Sequence, residues 1–173
     1  MILVGLGSNQ GDCAASLAAA MTCLESFARG PFRRSGIWQT SAVDCPPGSA
    51  DFLNAVVAFE GRHALTPEVL LYRLKLLERR FGRTESPVRN APRELDLDLL
   101  VFDDQRRDSE DFQLPHPRAI DRLFVLAPAA EVAADLVWPG TNKTIAALLA
   151  QLDTDEIVVP LAAGEQTANV AGA

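Results

Sequence analysis

The chain has 173 residues, of which 48% are hydrophobic and 23% are charged, and its formal net charge is −7 at pH 7. This length suits one ordinary domain with a single sizeable core, and no run of about 18 apolar residues is present to span a bilayer. A negative net charge argues against a general nucleic-acid surface, because Lys and Arg contacts to phosphates supply most non-specific affinity.

The chain starts with MILVGLGSNQ, which lacks the basic start and long apolar middle of a secretory signal and predicts a cytoplasmic protein. Within it, ILVGLG is a short apolar run ending in glycine and predicts the first strand. Asp12 is placed to cap a following helix, whose apolar residues fall on one face: Leu17, Met21, Leu24 and Ala28.

The middle of the chain predicts two strands and a second helix. PFRRSGIWQT is a weak strand pattern, and DFLNAVVAFE predicts a strand with two apolar faces, one carrying Phe52, Asn54, Val56 and Ala58 and the other Leu53, Ala55, Val57 and Phe59. Thr66 and Pro67 begin a helix that ends at Gly82. Its apolar stripe consists of Leu70, Leu74, Leu77 and Phe81.

A fourth strand is predicted in RELDLDLLVF, and the order β-α-β-β-α-β is typical of the ferredoxin-like arrangement. We therefore expect an α+β fold with helices packed on an antiparallel sheet, followed by C-terminal additions. RLFVLAPAAEVA predicts helical structure broken near Pro128. Residues 161–173 have little to bury, so we expect a domain over 1–160 and a flexible tail over 161–173.

Two acidic side chains interrupt the apolar fourth strand. Asp96 and Asp98 point to one face of this strand by alternation, while Leu95, Leu97, Leu99 and Val101 are expected to point into the core. Neighbouring carboxylates repel each other, and they stay ionised together when a cation lies between them. A solvent-facing acidic edge strand is the alternative interpretation.

Basic residues cluster directly upstream of the two aspartates. Seven of the 16 Lys and Arg side chains fall between positions 73 and 93: Arg73, Lys75, Arg79, Arg80, Arg83, Arg89 and Arg93. Arginine binds phosphate oxygens, and carboxylates hold the cations that accompany them, so this pattern favours a Mg²⁺–polyphosphate site. A solvated helix face remains the alternative.

Other motifs carry weaker signals. GLGSNQG does not fit G-x-G-x-x-G, and no P-loop motif is present, which argues against Rossmann and P-loop nucleotide binding. His116 lies between Pro115 and Pro117, so the direction of its imidazole is restricted, although a lone histidine more often has a structural role. Asn54 places an amide on an apolar strand face and needs partners.

Four blocks of the chain together resemble the hydroxymethyldihydropterin pyrophosphokinase family. They run from Gly5 to Gly140 in the order that the family has them, and they are GLGSNQGD, DFLNAVV, RNAPRELDLDLLVFD and LPHPRAIDRLFVLAPAAEVAADLVWPG. The resemblance implies an ATP-dependent diphosphotransferase of folate biosynthesis. Such an enzyme transfers pyrophosphate from MgATP to the hydroxymethyl group of 6-hydroxymethyl-7,8-dihydropterin and releases AMP.

The resemblance also implies roles for individual residues. Asp96 and Asp98 would bind two Mg²⁺ ions that bridge ATP to the pterin hydroxyl, and Arg83 and Arg93 would join them as catalytic residues. The other residues around ATP would be Glu78, Arg89, Leu99, His116 and Arg122. The pterin-binding positions would be Thr40, Val43, Phe52, Asn54 and Phe124, with the two phenylalanines flanking the ring and Asn54 pairing with its polar edge.

The chain departs from some family members at Glu85 and Asn90, where those members have an arginine and a tryptophan, and at Lys75, where they have a neutral polar residue. We expect small-molecule substrates and no nucleic acid, membrane or obligate protein partner. A non-catalytic pterin- or nucleotide-binding module of the same fold is the alternative function. A small RNA-binding domain is disfavoured, because the aromatic strand motif for base stacking is missing.

Overall fold

The computed structural model describes residues 1–41, 50–82 and 92–162. In chain order its strands are β1 (Ile2–Ser8), β2 (Ala28–Arg34), β3 (Trp38–Thr40), β4 (Phe52–Gly61), β5 (Asp96–Phe102), β6 (Arg107–Asp108), β7 (Gln113–Leu114) and β8 (Val158–Pro160). The helices of these ranges are α1 (Cys13–Glu25), α2 (Pro67–Arg80), α3 (Leu123–Ala133) and α4 (Ile145–Gln151), with a 3-10 turn at Ala119–Asp121.

The main sheet is antiparallel and is built around β1, whose apolar sequence pairs with β4 on one side and β5 on the other. Its strand order is β5-β1-β4-β3-β8, and β2 also pairs with β4. The predicted second strand is therefore two strands, β2 and β3, on successive parts of β4. The interruption coincides with Ser35, whose Oγ accepts the Val56 N–H at 2.9 Å.

Two apolar layers cover the sheet, as the alternation of β4 predicts. Leu53, Ala55, Val57 and Phe59 pack against α1 and α2, and we call this side the α1–α2 face. Val56 and Ala58 pack against α3 on the opposite side, the α3 face. The predicted α+β class with an antiparallel sheet is confirmed, whereas the finer ferredoxin-like order stays a prediction.

The helix ends follow the predicted capping signals. Asp12 Oδ1 accepts the Ala15 N–H at 3.1 Å, and Thr66 Oγ1 accepts the Val69 N–H at 3.3 Å. Gly82 follows α2 with φ +96°, a conformation that glycine adopts without strain. The placement of Ala28 on the first helix was wrong, because α1 ends at Glu25 and Ala28 is buried as part of β2.

One further sequence expectation was wrong, and another held only in part. Residues 123–133 form one continuous helix around Pro128, because the burial of neighbours such as Leu126 and Ala129 outweighs the loss of one N–H donor. Val101 is buried in the core as expected, but on the α3 face, because the β1–β5 register shifts after Leu99 and reverses the alternation. This shift is a β-bulge.

The C-terminal part adds structure that the sequence patterns did not predict. A β6–β7 hairpin forms within the polar connection after β5, and α4 and β8 follow α3. β8 extends the main sheet by pairing with β3. Within the described ranges no helix is long and apolar enough to cross a membrane. The predicted tail falls largely in 163–173, outside the described residues, so the boundary after Pro160 stays a prediction.

Candidate active site

The two aspartates lie at the start of β5, on the α3 face. Leu97 between them is fully buried on the opposite face, whereas Asp96 and Asp98 are partly exposed, as the predicted alternation requires. Their partners on β1 are glycines, Gly7 opposite Asp96 and Gly5 opposite Asp98. Asp96, Asp98 and these two glycines thus form a strip of the sheet, in which each carboxylate lies beside a residue without a side chain.

The glycine at position 7 keeps this strip open. A Cβ there would lie 3.2 Å from Asn54 Oδ1 and 3.9 Å from the Asp96 Cβ. Asn54 lies on β4, on the other side of Gly7 from Asp96. Any larger residue at position 7 would therefore fill the space between the amide of β4 and the carboxylate of β5.

The outer edge of β5 is held by side chains of α2. Glu78 Oε1 accepts hydrogen bonds from the Leu97 N–H at 2.7 Å and from Lys75 Nζ at 2.8 Å. Lys75 Nζ also donates to the Leu97 carbonyl at 3.1 Å. Both backbone groups of the residue between the aspartates are thus satisfied by α2, so this contact fixes the spacing of the two carboxylates.

The Glu78 carboxylate is only 1% exposed, and this burial raises its pKa. The positive charge and hydrogen bond of Lys75 oppose that rise, and the charge of Asp96 adds to it. Glu78 therefore has a clear structural function under β5. Its expected place around ATP stays a prediction.

Arg93 lies next to Asp96, with Nη1 at 2.9 Å from Asp96 Oδ2. Asn9 holds the backbone of Arg93 in both directions, because the Arg93 N–H donates to Asn9 Oδ1 at 2.8 Å and the Asn9 N–H donates to the Arg93 carbonyl at 3.1 Å. Asn9 is 5% exposed. Sequence reasoning missed this residue, although a buried amide needing partners was a usable signal.

His116 and Arg122 bring basic groups to the other side of the aspartates. The backbone N–H of His116 donates to the Leu100 carbonyl at 2.9 Å. The imidazole Nδ1 of His116 is buried without a hydrogen-bond partner among the described residues. Burial lowers the pKa of His116, and the Asp98 carboxylate opposes this effect. Burial and nearby Arg118 lower the pKa of Arg122, again opposed by Asp98.

A cleft of about 230 Å³ opens beside β5, between α2 and the β6–β7 hairpin. Lys75, Asp98, Leu99 and His116 line it, so two positions expected around ATP share one cavity with an aspartate. The unpartnered Nδ1 of His116 makes this side chain available for a polar ligand.

The positions expected to bind the pterin divide into two groups. Asn54 is 6% exposed, and its Nδ2 donates to Thr40 Oγ1 at 2.9 Å. Phe52 pairs with Thr40 across β3 and β4, so these three residues lie together. Phe124 is the second residue of α3, and the Arg122 guanidinium carbon lies 5.3 Å from its ring centroid.

The residues present fit magnesium. Mg²⁺ is commonly bound by one or two carboxylates together with phosphate oxygens and water, and Asp96 and Asp98 provide two carboxylates on one face. The described residues contain no group of three His, Cys, Asp or Glu side chains suited to a fully protein-ligated metal. Three expected site residues, Val43, Arg83 and Arg89, and the departures Glu85 and Asn90 lie outside the described residues.

Comparison with known proteins gives a consistent result. The family model of 7,8-dihydro-6-hydroxymethylpterin-pyrophosphokinase (HPPK) matches residues 3–134. A Synechocystis protein named 2-amino-4-hydroxy-6-hydroxymethyldihydropteridine pyrophosphokinase is 37% identical over 162 residues, which is 94% of this chain and 80% of that protein. Proteins of the same name from Bacillus subtilis and Methylorubrum extorquens are each 39% identical, over 80% and 89% of this chain and 81% and 94% of theirs.

Proposed function

The chain belongs to the 7,8-dihydro-6-hydroxymethylpterin-pyrophosphokinase family, and we propose that its active site is the strip around Asp96 and Asp98. The protein is the pyrophosphokinase of folate biosynthesis. It transfers pyrophosphate from ATP to the hydroxymethyl group of 6-hydroxymethyl-7,8-dihydropterin and releases AMP. The observation that carries the assignment of the site is the pair of carboxylates on one face of β5, beside Arg93 and opposite two glycines.

In the proposed reaction the hydroxymethyl oxygen of the pterin attacks the β-phosphorus of ATP. The new O–P bond forms as the bond between the β-phosphorus and the bridging oxygen of the α-phosphate breaks, and AMP leaves with that oxygen. The hydroxyl proton is lost to solvent or to a phosphate oxygen. Such a transfer asks the protein mainly to position both substrates and to offset negative charge.

Asp96 and Asp98 would hold two Mg²⁺ ions, which when bound neutralise phosphate charge and bring the two reactants together. Arg93 already pairs with Asp96, so its guanidinium lies where a polyphosphate held at these carboxylates could also contact it. Arg83 and Arg89 are proposed to add to this positive charge. Arginine suits the task because its planar fork binds phosphate oxygens in pairs.

ATP is proposed to occupy the cleft beside β5. Leu99 contributes an apolar surface there and His116 an imidazole whose Nδ1 has no partner among the described residues. Lowering of its pKa by burial keeps His116 neutral near pH 7, so it can act as a hydrogen-bonding group without adding charge. Arg122 and Glu78 complete the proposed set, Glu78 through its hold on β5.

The pterin is proposed to lie on the α3 face, between β4 and α3. Asn54 is buried and offers an amide to the polar edge of the ring, with Thr40 fixing the amide orientation. Phe52 and Phe124 are proposed to flank the ring, and Val43 to contact it. An aromatic sandwich of this kind binds a flat heterocycle while excluding water.

The finer architecture and setting belong to the same proposal. If β2 and β3 are counted as one interrupted strand, the chain order up to β5 is β-α-β-β-α-β, which supports the ferredoxin-like arrangement. We further propose one catalytic domain over residues 1–160 with a flexible tail over 161–173. The proposed partners are small molecules only, and the proposed location is the cytoplasm.

The direct test is the release of AMP from MgATP with and without 6-hydroxymethyl-7,8-dihydropterin. We expect AMP and pterin pyrophosphate in equal amounts, and only when both substrates are present. Glu60→Gln, at an exposed position on β4, serves as a control that should keep the parent rate. Calorimetric binding of both ligands without any AMP would instead support the non-catalytic binding module.

A further inference from the structure

Glu156 lies between α4 and β8, beyond the family match that ends at residue 134. Its Oε2 accepts the Leu123 N–H at 2.7 Å and lies 3.4 Å from the Phe124 nitrogen, whose N–H also points to it. These are the first two N–H groups of α3, and helices cannot satisfy such groups internally. Arg122, the residue before the helix, makes no side-chain capping bond. A distant carboxylate therefore replaces the usual local cap.

The position of Glu156 is fixed from both sides. Its own N–H donates to Thr154 Oγ1 at 3.2 Å. Immediately after it, β8 pairs with β3, and the Leu161 N–H donates to the Ile37 carbonyl at 2.8 Å. The carboxylate is thus presented to α3 by a segment anchored on the main sheet.

The first turn of α3 carries two residues of the proposed site. The Arg122 guanidinium lies 5.3 Å from the centroid of the Phe124 ring, which is cation–π distance. The like charge of Arg118 disfavours the charged form of Arg122, and the carboxylates of Asp98 and, to a lesser extent, Glu156 favour it. A negative charge is in addition favourable at a helix N-terminus. Glu156 therefore acts both on the backbone and on the charge of this turn.

We propose that Glu156 is a positioning residue for substrate binding, which fixes the first turn of α3 and so presents the Phe124 ring to the pterin and the Arg122 guanidinium to ATP. This inference rests on the proposed function for the identity of the two ligands. Glu156 itself contacts neither of them. A purely structural cap would lower stability without changing the affinity of the folded protein for either substrate, and this difference can be measured.

The experiment compares the parent with Glu156→Ala and Glu156→Gln, using Thr66→Ala as the matched control. Thr66 caps α2, so its replacement removes a helix cap that lies outside the proposed site. Amide hydrogen exchange at Leu123 and Phe124 is measured without ligands. Binding of 6-hydroxymethyl-7,8-dihydropterin, in the presence of a non-hydrolysable MgATP analogue, is measured by calorimetry.

We expect Glu156→Ala to speed exchange at both amides about tenfold and to raise the pterin Kd about tenfold, equivalent to about 1.4 kcal/mol. Glu156→Gln keeps an oxygen acceptor and loses the charge, so its effects should be about threefold, because hydrogen bonds to charged acceptors are the stronger ones. Thr66→Ala should leave the pterin Kd unchanged.

Parent-like pterin affinity in Glu156→Ala would overturn the inference, and so would equal weakening in Thr66→Ala. If Glu156→Ala does not fold, Glu156→Gln decides by the same two measurements. Failure of the parent to bind the pterin would refute the proposed function. The exchange rates would then still test whether Glu156 fixes the first turn of α3, and parent-like exchange at Leu123 and Phe124 in both variants would overturn that claim.

Discussion

Replacement of Glu78 tests whether α2 fixes the strand that carries both aspartates. In Glu78→Ala the Leu97 N–H loses its acceptor at 2.7 Å. An unpaired buried N–H costs about 1–3 kcal/mol, and the loss of one buried CH₂ group adds about 0.8 kcal/mol. Removal of a buried carboxylate offsets part of this cost. We expect a net decrease in the free energy of unfolding of about 1–3 kcal/mol.

Glu78→Gln separates the charge from the hydrogen bond. Burial raises the pKa of Glu78 above its usual value of 4.5, so the folded protein holds a proton there at pH values at which the unfolded chain has lost it. The stability contributed by this proton is complete below pH 4.5 and is lost as the pH rises through the folded pKa. The free energy of unfolding of Glu78→Gln relative to the parent should therefore increase from pH 4.5 upwards.

The assay is denaturant unfolding of the parent, both variants and the exposed control Glu60→Gln, in EDTA, between pH 4.5 and 8. The control should stay within about 0.5 kcal/mol of the parent. The Glu78→Ala protein should also need more Mg²⁺ for half-maximal activity. Glu78 holds the backbone of Leu97, and Leu97 sets the spacing between the Asp96 and Asp98 carboxylates. A Glu78→Ala protein as stable as the parent, or a flat difference between Glu78→Gln and the parent across this pH range, would refute the reasoning.

Four other substitutions address the site directly. Asp96→Asn and Asp98→Asn should fold, turn over about a thousandfold more slowly, equivalent to about 4 kcal/mol, and need more Mg²⁺; parent-like rates with unchanged Mg²⁺ dependence would contradict a metal site. Asn54→Ala should weaken pterin binding by about 1–3 kcal/mol while sparing ATP, and equal losses in calorimetry would argue against pterin recognition. Asn9→Ala frees the Arg93 N–H and should lower kcat more than it raises either KM, whereas a loss of stability alone would assign Asn9 a structural role only.

Much of the fold follows from strand alternation and helix capping, two local patterns that can be read directly from the sequence. The alternation along β4 separates its two apolar faces because successive side chains point to opposite sides of a strand. The same rule places Asp96 and Asp98 together, with Leu97 on the other face. The Asp12 and Thr66 caps are equally local, since each side chain bonds to an N–H three residues later.

Local rules failed where tertiary packing competes with them. Pro128 is a helix breaker by its chemistry, yet the burial of α3 against the sheet keeps the helix continuous. The bulge in β5 moved Val101 to the α3 face because the pairing of two strands, rather than the pattern of one, sets the register.

The groups that hold the candidate site in place were decided only by the tertiary structure. Asn9 binds the backbone of a residue 84 positions away, Glu78 one 19 positions away and Glu156 one 33 positions away. Each bond joins a side chain to a backbone group, so it leaves no periodic pattern and no complementary residue type in the sequence. The sequence by itself determined that Asp96 and Asp98 share one face of β5. The packing of α2, α3 and the C-terminal segment on the sheet decided what keeps those side chains in position, because only folding brings the donors and acceptors within hydrogen-bond distance.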